Sequence, residues 1–496
     1  MIAFPKQKKF YLTTAIPYVN ANPHIGHTLE FVQTDVIARY RKLLGESVFL
    51  TTGADENSLK NVQAAEEAGI PTAELCRRNA ETFKKLGLKI GLSFDSFLRS
   101  SIKEDHWTGV HKLWELCKRS GDIYKKKYRG LYCVGCETFY TESELVNGLC
   151  PEHKKKPDVV EEENYFFRLS KYQKRIEKLI ETDALKIVPE TRKNEVLSFV
   201  KQGLEDFSIS RSVERAKVWG VPVPGDDSQI IYVWFDALNI YQTSVGFGKD
   251  EKLYKKWWPA DLHVIGKGII RFHAVYWPAI LLSAKLALPK SILVHGYITV
   301  ESQKISKSLG NAIDPFKLLE KYPSDALRYF LIKEIPVAND GDFSEKALVN
   351  RINGELVDDL GNLVYRVLSL AEKFKGKIEG KPELESRLNL EKIKNLMEDY
   401  KLNEALEEIW RFIRATNKYI NENEPWRLKG KELGNVLYNL VESCRVISIL
   451  ISPFLPDTAK KINEQIGVRA GKIKDCKFGK FSGKLKKGAY LFKKIE

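Results

Sequence analysis

The sequence has no run of about 20 consecutive apolar residues, so no membrane-spanning helix is expected. Its longest apolar stretches, such as Ile280-Leu281-Leu282, are the size of core segments. The start, Met1-Ile2-Ala3-Phe4-Pro5-Lys6, passes directly into a strand-like run and lacks the charged, apolar and cleavage regions of a secretion signal. A cytoplasmic location is therefore expected. Cysteine is sparse: seven residues, an odd number, speak against a disulfide framework. No stretch recurs at a fixed period, which excludes a repeat array. Methionine is nearly absent, with Met1 and Met397 alone, while charges of both signs are plentiful. That combination points towards a heat-adapted source. Histidine is scarce too, with eight in 496 residues, so a cluster of it carries weight.

What is present is the mixture of a globular protein, 43% hydrophobic and 29% charged. The length exceeds what one hydrophobic core organises, so several domains are expected. Lys and Arg number 80 against 65 Asp and Glu, a net charge of +15. Such a balance suits a polyanionic partner, because phosphate contacts release counterions; a lysine-rich solvated surface gives the same count.

The first half alternates strand-like and helix-like patterns. Phe10–Ile16 is an apolar, β-branched run that Pro17 breaks. Leu29, Val32, Val36, Ile37 and Tyr40 then recur at helical spacing. Val48–Thr51 reads as the next strand, followed by helical stretches over roughly 57–69 and 72–87. Strand, helix, strand is the pattern of an α/β fold with a doubly wound parallel sheet. A cysteine-bearing, Lys/Glu-rich segment interrupts the rhythm. The alternation resumes with strands expected at Ile230–Trp234, Leu262–Gly266 and Ile292–Gly296. Leu356, Leu360, Leu363, Val367 and Leu370 then open an all-helical part. The expected units are 1–118 and 229–320 as two halves of the sheet domain, 119–228 as an insertion and 321–350 as a linker. A helical domain over 351–465 and a Lys/Gly-rich strand or loop tail over 466–496 complete the chain.

Three constellations carry chemistry. Pro23-His24-Ile25-Gly26-His27 follows a strand and opens a helix. A helix N-terminus presents unpaired N–H groups and a partial positive charge, so phosphate binds there. His24 and His27 add imidazole donors, and Gly26 lets a base or sugar approach the backbone. Lys304-Ile305-Ser306-Lys307-Ser308 lies in a polar segment after a strand, where two lysines three apart suit closure over a phosphate chain. Taken alone that pentapeptide also fits a solvated loop. Cys133-Val134-Gly135-Cys136 and Cys150-Pro151-Glu152-His153 offer three thiolates and an imidazole, a closed tetrahedral set for one structural Zn²⁺ with no open position. Cys76, Cys117, Cys444 and Cys476 read as plain cysteines.

The order His-Ile-Gly-His, insertion, Lys-Ile-Ser-Lys-Ser resembles the signature pair of class I aminoacyl-tRNA synthetases, with Ile305 where Met is usual. The short insertion with one knuckle is similar to the connective peptide of the methionyl-tRNA synthetases, and further stretches resemble that family along nearly the whole chain. The resemblance implies ATP contacts at His24, Gly26, His27, Lys304, Ile305, Ser306, Lys307 and Ser308. Of these, His24, His27, Lys304 and Lys307 are implied as the catalytic set. It implies methionine contacts at Ala15, Ile16, Tyr18, Asp55, Trp234, Ala237, Tyr241, His273 and Trp277, with Asp55 taking the α-ammonium group. An aromatic pocket suits a thioether, and Tyr241 O–H with a ring N–H of His273 is expected to reach the sulfur. By residue type alone, Tyr18, Trp234 and Trp277 are ordinary core. Asn362, Arg366 and Trp426 resemble anticodon-reading positions; Asn362 and Arg366 share a helix face, and Trp426 suits base stacking. The implied partners are ATP with Mg²⁺, L-methionine and tRNA(Met), with room for a separate tRNA-binding subunit acting in trans.

Three further positions depart from the family: Asn57 where His is common, Leu238 where Pro is frequent, and Gly268 where an Asp regarded as an ATP ribose or adenylate contact is usual. Rival readings are a class I synthetase for another amino acid such as cysteine, an inactive tRNA-binding paralogue, and a nucleotidyltransferase of the same superfamily. The four knuckle ligands saturate a site away from substrate, both signature motifs are intact, and the helical part and net charge fit tRNA. Each observation weighs against one rival in turn.

Overall fold

Side-chain alternation builds a sheet with two covered faces. The structure, a computed structural model, describes residues 8–135, 138–140, 142–152, 154–300, 303–304, 313–486 and 488–496. Its central sheet has strands β1 (Lys9–Thr13), β2 (Ser47–Ala54), β3 (Ser96–Arg99), β4 (Lys186–Val188), β5 (Leu262–Gly266) and β6 (Ser291–His295). All pairs are parallel, in the order β3-β2-β1-β5-β6-β4. Phe10, Leu12, Leu262, Val264 and Leu293 enter one core; Tyr11, Ile265, Ile292 and Val294 enter the other. That period of two, apolar on both faces, marks a buried parallel sheet.

The first core continues from helix α1 (Ile25–Leu43) into the helical domain. Helix α2 (Ser324–Glu334) joins them. Arg328 on α2 is fully buried, pairs with Asp35 of α1 at 2.7 Å, and donates to the carbonyls of Ile90, Pro453 and Phe454. Beyond it, a wide turn over Ile352–Gly361 runs into α3 (Asn362–Lys373), followed by α4 (Leu402–Asn423), α5 (Gly430–Ile451) and α6 (Pro456–Ile466). Leu356, Leu360, Leu363 and Val367 bury the face expected of them. Helix α5 is long and apolar enough to cross a membrane, yet 89% of its apolar stretch is buried inside the fold, as in a core helix.

Two expectations change, and the tail takes the loop form of the two expected for it. Ile230–Trp234 is not a strand of the central sheet: Asp226–Ile231 pairs antiparallel with Ser210–Ser212 and Pro222–Val223, and Val233–Ala237 is helical. The β-branched run ends at Tyr232, and the following turn is fixed by Asp236, whose buried carboxylate is held by side chains of other segments. The segment 119–228 does fold mainly as a separate antiparallel sheet (Ile123–Cys133, Thr138–Tyr140, Asp158–Phe167, Phe207–Ser208), but it also lends β4 to the central sheet. The tail forms no strand among its described residues. It folds back instead, burying Leu491 and Phe492, and the Asn353 side chain brackets the Ile495 backbone by two hydrogen bonds.

Candidate active site

A cleft of about 510 Å³ opens at the carboxyl ends of β1, β5 and β6, where the strand order reverses and the backbone leaves a crevice. Ala15, Ile16 and Tyr18 line it after β1, His24, Gly26, His27 and Glu30 from α1, and Gly266 and Gly268 from the end of β5. His295 and Tyr297 close one side and Trp234 another.

Sequence dictates the geometry of the two histidines. Pro23 cannot continue a helix backwards, and His24 takes an extended backbone as N-cap of α1. His24 Nδ1 accepts the Gly26 N–H at 3.1 Å, and His27 Nδ1 accepts the His24 N–H at 3.1 Å. The rings lie 4.0 Å apart, and His27 also meets the edge of Phe83. With each Nδ1 acting as acceptor, a neutral ring carries its proton on Nε2, so each presents a donor on the side away from the backbone it caps. A Cβ at Gly26 would stand 2.9 Å from His24 Cε1 and push the cap aside, so glycine here serves the cap as well as the approach of a ligand.

Of the second motif, Lys304 is described in backbone only, opposite Thr299 in a short hairpin. Ile305, Ser306, Lys307 and Ser308 lie outside the described residues. The chain re-enters at Ile313, whose carbonyl accepts the Ile25 N–H at 3.2 Å. The segment thus returns directly beside the N-terminus of α1.

The residues implied for methionine divide into two groups. Ala15, Ile16, Tyr18 and Trp234 line the cleft. Trp234 stacks on Phe272 at 3.8 Å and meets the edge of Tyr18 at 6.3 Å. Asp55, Ala237, Tyr241, His273 and Trp277 are buried and do not line it. Asp55 is tied to the cleft wall by its N–H to Pro17 O at 2.9 Å. Tyr241 and His273 stand behind Trp234, and Trp277 packs deeper against Trp258. Tyr241 and His273, expected to donate to the sulfur, are engaged with each other and with the backbone in this structure. The Tyr241 hydroxyl lies 2.8 Å from His273 Nε2, and His273 Nδ1 lies 2.9 Å from the Ile269 carbonyl. Burial pushes the His273 imidazole down to about 4, so the ring is neutral. Its one N–H faces the carbonyl and the tyrosine proton faces the ring. Both donors are spent within the protein.

Sequence reasoning missed several residues here. Glu30 accepts the Ala15 N–H at 2.8 Å and meets His295 Nε2 at 3.0 Å, linking β1, α1 and β6 at the cleft. Its place three residues after His27 was the available signal. Behind the methionine group, Asn57 Nδ2 donates to Asp236 at 2.7 Å, and His106 Nε2 meets the other Asp236 oxygen at 2.6 Å. The Asn57 N–H donates to Asp55 at 3.3 Å. A single asparagine therefore joins the Asp55 segment to the Trp234 helix.

Of the four expected metal ligands, Cys136 and His153 lie outside the described residues. Among the described residues no three metal-binding side chains come together. Cys133 ends its strand and Cys150 follows a tight Val146–Leu149 turn, in which Asn147 and Gly148 take positive φ. Both are buried, and their chemistry as soft thiol donors fits half of a closed zinc site. In the helical domain, Asn362 is exposed, Arg366 donates to Asn421 at 2.9 Å, and Trp426 is 56% exposed on the turn after α4. A tryptophan that open is unlike core and suits stacking.

Comparison with known proteins agrees. Residues 10–158 and 144–368 match the family "tRNA synthetases class I (M)", and 383–486 match "Anticodon-binding domain of tRNA ligase". Methionine–tRNA ligase of Thermotoga maritima is 43% identical over 92% of this chain and 75% of its own length. That of Brucella suis is 42% identical over 94% and 93%. Among solved structures, Mycobacterium tuberculosis methionyl-tRNA synthetase in complex with methionyl-adenylate superposes with a TM-score of 0.93 at 39% identity, covering 98% of this chain and 100% of that one. With the paired motifs, the cleft at the sheet's switch point and the helical domain, these matches show that the chain belongs to the class I methionyl-tRNA synthetases.

Proposed function

We propose that the cleft holds methionine and ATP side by side, with each motif in a distinct role. The overall reaction follows from the family: the enzyme activates L-methionine with ATP and esterifies it to the 3′ end of tRNA(Met). In the first step a methionine carboxylate oxygen attacks the α-phosphorus in line, forming methionyl-adenylate as the bond to pyrophosphate breaks. In the second, a terminal ribose hydroxyl of the tRNA attacks the adenylate carbonyl and AMP leaves. Neither step needs a covalent enzyme intermediate, so positioning and charge stabilisation carry the rate.

The observation that carries this reading is the reciprocal cap of α1, which fixes both Nε2 atoms of His24 and His27 as donors at a helix N-terminus. Phosphates belong there. Lys304 and Lys307 complete the phosphate site from the segment that returns at Ile313. The methionine backbone lies over Ala15–Tyr18 with its ammonium towards Asp55, and its side chain passes Trp234 towards Tyr241 and His273. Mg²⁺ brought with ATP would offset the charge of the phosphates. Cys133, Cys136, Cys150 and His153 would hold one structural Zn²⁺ that braces the insertion near the acceptor end of the tRNA; elemental analysis of the purified chain tests that ion. Asn362, Arg366 and Trp426 form the anticodon contact. Stacking of a base on an aromatic ring contributes about 1–3 kcal/mol. Trp426→Ala is therefore expected to raise KM for tRNA by roughly 5- to 150-fold and leave ATP–pyrophosphate exchange unchanged. Equal loss in both assays would refute the assignment.

A further inference from the structure

Glycine at 268, where the family commonly has aspartate, does not leave a gap. A Cβ built on Gly268 collides with the hydroxyl oxygen of Tyr297, and the ring carbon bearing that hydroxyl lies 3.5 Å away. Tyr297 is gripped on several sides. Its N–H donates to Asp340 at 2.8 Å, its carbonyl accepts the Gly341 N–H at 3.0 Å, and the Lys267 ammonium sits 4.6 Å above its ring while bonding Asp340. The phenol oxygen thus stands in the place of the first side-chain atoms of residue 268. Gly268 and Tyr297 both line the cleft, on the β5–β6 side, together with Gly266 and His295.

We propose that the Tyr297 hydroxyl makes the ribose-hydroxyl contact to ATP in this enzyme, and that glycine at 268 is what admits it. The inference rests on adenosine occupying this cleft. A neutral phenol both donates and accepts, which matches a sugar hydroxyl; a triphosphate calls for cations and helix-end N–H groups, which lie on the α1 side. Burial pushes the phenol up to about 12, so it keeps its proton at neutral pH. The side chain reaches from the end of β6 to a position that an aspartate would reach from the end of β5. A different strand end thereby supplies a hydroxyl where the Cβ of a residue at 268 would stand.

The test is methionine-dependent ATP–pyrophosphate exchange with ATP, 2′-deoxy-ATP and 3′-deoxy-ATP, for wild type, Tyr297→Phe and Gly268→Ala. Loss of one neutral hydrogen bond predicts a rise in KM for ATP of roughly 3- to 15-fold in Tyr297→Phe, with KM for methionine unchanged. The wild type is expected to discriminate against one of the deoxynucleotides by a similar factor, and Tyr297→Phe to lose that discrimination. Gly268→Ala, which keeps the hydroxyl but displaces it, is expected to show the same selective loss. If both variants weaken all three nucleotides equally, Tyr297 only fills space and the proposal is overturned; an unchanged KM for ATP overturns it as well. A wild type that shows no exchange with methionine sinks the reading of the cleft itself, and the proposal with it.

Discussion

Replacing Asn57 by alanine removes the link between two walls of the methionine site. The side-chain amide donates to Asp236 at 2.7 Å and to the Ser100 carbonyl at 3.1 Å, all three residues being buried. Its loss leaves one oxygen of a buried carboxylate short of a donor, while His106 still holds the other at 2.6 Å. Leaving such a group unsatisfied costs about 1–3 kcal/mol. The backbone N–H to Asp55 survives, so the Asp55 segment loses its anchor but not its local shape. In the proposed arrangement Asp55 and Trp234 serve methionine, whereas His24 and Gly26 serve ATP. The cost therefore falls on methionine: KM for the amino acid rises by about 5- to 150-fold at 1–3 kcal/mol, with KM for ATP unchanged. Asn57→His, which restores the residue common in the family and keeps a donor, recovers most of the loss. ATP–pyrophosphate exchange with methionine varied at saturating ATP measures all of this. A parallel rise in both KM values, or no change in either, refutes the reasoning.

Arg328→Met leaves Asp35 buried opposite an apolar chain and strands three carbonyls; breaking such a pair costs about 3–5 kcal/mol. Denaturant unfolding followed by tryptophan fluorescence should show that loss, and a change under about 1 kcal/mol would contradict the role of Arg328 as the pin between domains. The pH dependence of stability follows from His273. Its folded pKa, about 4, lies below the ordinary histidine value near 6.5, so between those limits the unfolded chain binds more protons. Stability is then complete above about pH 6.5 and falls by about 1.4 kcal/mol per unit towards pH 4 on account of this ring. His273→Gln is expected to flatten that slope in unfolding measurements at pH 4 to 7, and an unchanged slope would contradict the burial argument.

The parts legible in sequence were those fixed by local chemistry. Pro23 and the paired histidines announce the start of α1, and the two-sided apolar run of Phe10–Thr13 announces a buried parallel strand. Trp426, expected as a stacking platform, needed the structure to show it in the open. The rest was hidden because tertiary partners decide it. Val233–Ala237 has the β-branched lead-in of a strand, yet Asp236 is captured by Asn57 and His106 from distant segments and turns the chain into a helix. Three residues, Lys186–Val188, are too few to signal a strand until β6 pairs with them. Tyr241 and His273 were expected as donors to the sulfur, but only the distances show that each spends its proton inside the protein. Glu30 reads as one more helix carboxylate until Ala15 and His295 are found on either side of it.

The most direct measurement is ATP–pyrophosphate exchange by the purified chain with each of the twenty amino acids in turn. An apolar, aromatic site beside a phosphate site at the start of α1 predicts exchange with methionine alone. Exchange with another amino acid and none with methionine would keep the ATP chemistry and overturn the pocket. No exchange with any of them would contradict the reading of the cleft as the place where the amino acid is activated.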